Sequence, residues 1–380
     1  MAMVILDDLA PQRVGAVLDD WRKEGRPFHV LAALPEAEKA NVAGLQACCR
    51  EMGIALGGAL FPQLIHGGAL WNSGALLLRV DAAPAPLLLE DVAKPEAVDR
   101  ACDAVVAYVE EKIGEVEDAA LFSVFDALVP NIATHLDSWY LRLADRVRYF
   151  GVNAGNERFV SEPCLFDDKR FIANGVLLQL LPGHPGACLE HGYAVPAQAI
   201  TATSASGNSI VQINWRPALD VYREIMQEQY GVAIDRENFY SHAVHFPFGI
   251  LRADGEVLVR IPVALGDNGE IVCVGEIRPN SLLTLLDARA GSDTAPAALA
   301  RDLAQQGSTL AGDDLLLFYC AGRRMHVGAG IGDELAALSR ETAARQVAGA
   351  LSLGEIGGAR SDGYPLFHNA TLVGIPWPMR

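Results

Sequence analysis

One change of pattern constrains this chain more than any other feature. Up to about residue 150 short apolar runs alternate with amphipathic stretches, and from Gly151 onward the runs are joined by turns. Residues 28–34 (FHVLAAL) form an apolar run ended by Pro35, and 36–52 follow with Val42, Leu45, Cys48 and Cys49 at helical spacing. Residues 54–61 and 75–80 read as strands, 96–113 as a helix, 119–125 as a strand and 132–147 as a helix. Beyond Gly151 the punctuation is Asp167-Asp168, Ala173-Asn174-Gly175, Gly207-Asn208, Asp254-Gly255 and Asp267-Asn268-Gly269, which are hairpin signals between β-branched runs. A helix from Pro217 through Tyr230, a helix over 295–306, a strand over 315–320 and a long helix over 333–350 lead into closing strands. The expected class is α+β, with two lobes of mostly antiparallel sheets layered with helices. The triplet Gly-Glu-Ile occurs at Gly275 and Gly354, which is too short to define a repeat.

With 380 residues, 51% of them hydrophobic, the chain can fill two packed cores. Its formal net charge of -17 repels phosphate backbones and anionic lipid, which argues against nucleic-acid and membrane-surface partners. The N-terminus reaches Asp7 and Asp8 before any long apolar run, unlike a secretory signal. The uncharged stretch 53–78 contains Pro62, Gln63, His66, Asn72 and several glycines, so it reads as strand and turn and not as a membrane span. Seven cysteines without metal or disulfide spacing point to reduced thiols and to the cytoplasm.

Three places could carry chemistry. The segment HPGACLEH puts His184, Cys188, Glu190 and His191 within eight residues, and histidine and thiolate are ligands for zinc or haem iron. A surface loop with ordinary histidines accounts for the same residues. His242 and His245 form HAVH, whose spacing on a strand separates the rings, and both read as ordinary. Cys320 ends an apolar run and is followed by Arg323, Arg324 and His326; nearby cations favour thiolate, and a small buried residue at a tight turn is the plainer reading. Finally, 351–358 (LSLGEIGG) and 367–373 (FHNATLV) place Glu355, His368, Asn369 and Thr371 in an apolar frame. A cleft joining Glu355, Asn369 and Arg323 suits the charged ends of a small zwitterion, and a buried network fixing strand register is the alternative.

In order along the chain, GVNAGN (151–156), HGYAVP (191–196), NWRPALDVY (214–222), HFPFGI (245–250), LLLFYCAGRR (315–324) and the two closing blocks form a series that resembles the FIST family of bacterial sensory domains. The resemblance spans residues 27 to 375 and implies two consecutive regions, 27–215 and 216–375, that bind small ligands in signal transduction. Some members of the family are haem proteins that sense nitric oxide. For this chain that implies a non-covalent haem b with His191 or His184 as axial ligand and Cys188 nearby. An amino-acid ligand would instead draw on Arg323, Cys320, Glu355, Asn369, His368 and Tyr193. Output would pass through a separate sensor histidine kinase or cyclase. A relative in a eukaryotic F-box protein raises the alternative of a protein-interaction scaffold. A thiol-dependent hydrolase or transferase working through Cys320 is the enzymatic alternative. The sequence has no G-x-S-x-G, no H-E-x-x-H and no phosphate-binding glycine loop, so the expectation is a sensor and not an enzyme.

Overall fold

The computed structural model describes residues 2–113, 118–253, 255–287, 295–307, 310, 312–358 and 363–377. Its core consists of three six-stranded sheets with one and the same strand order. Each runs outer strand, return strand, first strand, second strand and a two-strand hairpin. In the first sheet these are Ala2–Leu6, Ala75–Asp81, Phe28–Pro35, Leu56–Phe61 and the pair Leu165–Asp167 and Phe171–Ile172. In the second they are Leu87–Leu89, Val176–Pro182, Ala119–Asp126, Arg148–Ala154 and the pair Glu355–Gly357 and Leu366–His368. In the third they are Cys188–Glu190, Leu372–Trp377, Asp314–Cys320, Gln346–Ser352 and the pair Leu64–His66 and Ala69–Trp71. Among the described residues only the first and second strands of each sheet pair in parallel. A crossover helix therefore joins them: Val42–Glu51, Ile132–Leu143 and Ile331–Thr342 respectively.

The chain thus contains three structural repeats, each giving its hairpin away. The first repeat completes the third sheet, the second completes the first, and the third completes the second. This closed exchange ties the N-terminal 71 residues to the last strands of the chain.

A common register confirms the equivalence. Leu31 pairs with Gly57, Ser123 with Gly151 and Leu317 with Gly349. A side chain at Gly349 would run into the Leu317 carbonyl, and one at Gly151 into that of Ser123, whereas at Gly57 it would meet Pro86 at 2.9 Å. Gly349→Ala is therefore expected to cost about 1–3 kcal/mol by overpacking, read as a lowered urea midpoint; an unchanged midpoint would show that the strands part easily.

The inner faces of the three sheets meet at an aromatic cluster. Phe318 lies 5.4 Å from Phe61 and 6.0 Å from Phe122, which stacks on Phe150 at 5.2 Å. Helix pairs cover the outer faces. Trp139 stacks on Phe125 at 5.5 Å, and Leu299, Leu303, Leu335 and Leu338 pack on Leu315, Leu317 and Tyr319. Strands buried on both faces explain the continuous apolar runs.

Between the outer strand and first helix of the third repeat, residues 200–285 form an inserted unit. It has two small antiparallel sheets and the helices Ala218–Tyr230 and Phe239–Ala243, packed around Tyr222, Phe239 and Phe248. The class is α+β. Residue 215 falls inside this insert, between the paired strands Ser209–Ile213 and Arg216–Pro217. Among the described residues no helix is long and apolar enough to cross a membrane.

Three expectations are corrected. The helix expected over 333–350 ends at Thr342, because Ala343 turns left-handed at φ 52°, and Gln346–Ser352 is a buried strand. Its apolar residues carry no period that separates the two. The closing run 367–373 is not one strand: Ala370, at φ 56°, breaks it, so that Leu366–His368 and Leu372–Trp377 join different sheets. The run 257–264 divides at Ile261 into strands of two sheets. Of the expected turns, Asp254 lies outside the described residues.

Candidate functional site

A cleft of about 380 Å³ opens where the first strand of the third sheet ends. Its floor is Cys320, Ala321, Gly322, Leu353 and Asn369, and its far wall is Tyr240, Ile261, Val263 and Val274 from the insert. Glu157, Phe159, Arg324 and Met325 complete it. Phe159, Tyr240 and Met325 are all 40–49% exposed, so the rim is apolar. Among the described residues Arg324 is the cation that lines this cleft. It donates to Gln63 Oε1 at 2.8 Å and pairs with Glu157 at 2.6 Å.

Asn369 is 1% exposed. Its Nδ2 donates to the His368 carbonyl at 2.9 Å, while its Oδ1 is buried with no hydrogen-bond partner. An unsatisfied buried amide oxygen costs about 1–3 kcal/mol.

Beneath the floor, Glu355 is fully buried. Ser352 Oγ donates to its Oε1 at 2.6 Å, and Thr371 Oγ1 and N–H donate to its Oε2 at 2.8 and 3.3 Å. Burial nevertheless pushes its carboxyl up to about 7. Cys320 pairs with Ser352 and donates its N–H to the Thr371 carbonyl at 3.1 Å, so the two residues that hold Glu355 flank this cysteine. Burial, and then the Glu355 charge, push the thiol up, against backbone N–H groups of Arg323, Ala370 and Gly322 that favour a charge on the sulfur. At rest Cys320 is therefore a thiol and not an activated thiolate.

The other residues singled out from the sequence lie away from the cleft. Arg323, 1% exposed, turns inward, pairs with Glu334 and donates to the His191 carbonyl; Nε reaches Glu334 Oε2 at 3.1 Å. The Arg323 expected beside Asn369 is thus replaced there by Arg324. Tyr193 packs between His191 and His326, at ring distances of 5.9 and 5.6 Å, with its hydroxyl buried and unpartnered. His368 bonds to the Gly357 carbonyl at 3.2 Å and lies 3.5 Å from Glu256. His245 and His326 share a 2.8 Å bond between their Nδ1 atoms.

A haem iron needs an imidazole nitrogen or thiolate with an open approach. His184 offers neither nitrogen: Nε2 bonds to the Pro376 carbonyl at 2.8 Å, Nδ1 accepts the Gly186 N–H at 3.0 Å, and the ring lies near Phe150 and Trp377. Cys188 lies in a strand, its thiol pushed up to about 12 by burial. His191 accepts the Tyr193 N–H at Nδ1, and burial and then Arg323 depress it to about 4. None of the three lines the cleft. These residues do not fit a haem in the cleft, and among the described residues no group of three or more His, Cys, Asp and Glu is arranged to hold a metal ion.

Three interlocked repeats and an insert thus enclose a cleft with apolar walls and Asn369 on its floor. Residues 218–358 match the family model of the FIST C domain, from the long helix of the insert through the strand Glu355–Gly357. The match supports a FIST-domain protein, and the FIST domain is a sensory domain family of signal transduction. A comparison with curated proteins finds no match.

The sequence offers Arg323 and Arg324 together as candidates for a basic pocket, and of the two it is Arg324 that lines the cleft; Glu334 as the partner of Arg323 and the rim formed by Phe159, Tyr240 and Met325 were missed. The rim residues come from three distant segments, and only their exposure marks them.

Proposed function

We propose that this protein is a non-catalytic sensor whose small ligand occupies the cleft between the insert and the three-sheet core. The observation that carries this reading is the unpartnered Asn369 Oδ1 on a floor otherwise satisfied. The apolar walls select a ligand with an apolar body, and Asn369 selects a polar end that donates a hydrogen bond. An alcohol meets that requirement, as does an apolar amino acid, whose ammonium would face Asn369 while its carboxylate competes with Glu157 for Arg324. Because the ligand touches both insert and core, binding draws the two together, and a separate kinase or cyclase in the cytoplasm would read that change. The enzymatic reading through Cys320 is less well supported, since its resting thiol is held protonated.

The test is thermal unfolding with 1-octanol, leucine or phenylalanine as probes, in the wild type and in Asn369→Leu. A probe at a hundredfold excess over its Kd stabilises the fold by about 2.7 kcal/mol. The wild type should show such a shift with at least one probe. Asn369→Leu should keep the unliganded melting temperature and lose most of the shift. An equal shift in the variant would move the site elsewhere.

A further inference from the structure

The three repeats can be compared at the end of the first strand, where the first repeat has Leu34, paired with Leu60. In the second repeat this position is Asp126, paired with Ala154; in the third it is Cys320, paired with Ser352. The Asp126 carboxylate is held by two backbone donors, Leu128 N–H at 2.9 Å and Asn174 N–H at 2.6 Å. Asn174 is the left-handed residue just before the return strand, and Ala370 is its counterpart. In the first repeat Gly74 fills that place, and its N–H also reaches a carboxylate, Glu38 Oε1 at 2.9 Å. In the third repeat the residues at the equivalent donor positions are Gly322 and Ala370, whose N–H groups favour a charge on the Cys320 sulfur. The position whose carboxylate is held by two backbone donors in the second repeat therefore carries a thiol in the third, with Glu355 near it and an open cleft in front.

We propose that the Cys320 and Glu355 pair captures apolar aldehydes entering the cleft, forming a reversible thiohemiacetal on Cys320 whose hydroxyl donates to Asn369 Oδ1. This rests on the reading of the cleft as the ligand site. Glu355 takes the S–H proton, which moves the negative charge from carboxylate to sulfur within one buried pair. The backbone donors then hold the charge on sulfur, as their counterparts hold it on Asp126. The thiolate attacks the carbonyl carbon, a C–S bond forms, and the π pair of the C=O bond moves to oxygen. The proton passes from Glu355 to that oxygen. Nothing leaves, and no oxidant or reductant is consumed. Asn369 favours this product over a conjugate addition to an enone, because an enone adduct presents a carbonyl, a second acceptor, where a donor is needed.

The experiment uses the full chain with [1-13C]octanal, followed by 13C NMR, alongside 1-octanol as an unreactive probe in thermal unfolding. The expected result is a resonance moved from the aldehyde to the sp3 region in the wild type and absent in Cys320→Ser. Glu355→Gln should form the adduct about a hundredfold more slowly, the usual worth of a positioned base. If 1-octanol binds and octanal remains free aldehyde, or if the adduct persists in Cys320→Ser, covalent capture is overturned while the ligand site stands. If neither compound binds, the ligand-site reading fails with it.

Discussion

Arg323→Met should cost the folded chain about 3–5 kcal/mol, the penalty of leaving a buried charge without its partner. Glu334 is 8% exposed and receives the Arg323 guanidinium through Nε and a second nitrogen, while the Tyr319 hydroxyl donates to the same carboxylate. Methionine fills similar volume, so the loss is electrostatic and not a cavity effect. It also leaves the His191 carbonyl without its Arg323 donor. The double variant Arg323→Met with Glu334→Leu removes both charges and should regain most of the loss, keeping a residual penalty for the Tyr319 hydroxyl and the His191 carbonyl. Urea unfolding of both variants decides. A loss below about 1 kcal/mol in the single variant, the range of exposed ion pairs, would mean that water reaches Glu334. Because Arg323 lies outside the cleft, the 1-octanol shift should survive in whatever fraction of the variant is folded.

Most of the elements were legible in the sequence, and the architecture was not. The strands at Phe28–Pro35 and Asp314–Cys320 and the helix Ala218–Tyr230 follow from apolar runs, periodicity and flanking Pro or Gly. The threefold plan is invisible because its three copies share positions and not residues. Leu31, Ser123 and Leu317 are equivalent, as are Gly74, Asn174 and Ala370, and no residue count reveals this. Two of the equivalent turns advertise themselves by Gly or Asn, whereas Ala370 takes the same left-handed conformation with an ordinary side chain. That is why 367–373 reads as one strand. The hairpin exchange is equally hidden, since a strand such as Leu64–His66 gives no sign that it pairs with residues almost 300 positions away. Within the site, Cys320, Glu355 and Asn369 were identifiable as polar groups in apolar frames. The neighbouring arginines could not be told apart, because the short helix Ala321–Val327 decides which of Arg323 and Arg324 turns inward.

The pH dependence of stability should separate two buried groups by the sign of the charge they refuse. Burial depresses His184 to about 4, below its unfolded value of about 6.5. Its contribution is therefore present in full above pH 6.5 and is lost as the pH falls towards 4, because the unfolded chain binds the proton first. The span corresponds to roughly 3 kcal/mol. His184→Gln should be less stable than the wild type at pH 8, having lost the bonds to Pro376 and Gly186, and the gap should narrow by about that amount as the pH falls to 4. Glu355 behaves oppositely. Burial raises it to about 7 from an unfolded value near 4.5, so its contribution is complete below the unfolded value and is lost as the pH rises through 7. Glu355→Gln should then gain on the wild type by roughly 3 kcal/mol between pH 4.5 and 8. Urea titrations at several pH values give two difference curves, and those curves should slope in opposite directions. Flat curves would mean that both groups ionise in the folded chain as they do in water, which requires water at His184 and Glu355 and removes the dry pair on which the chemistry of Cys320 depends.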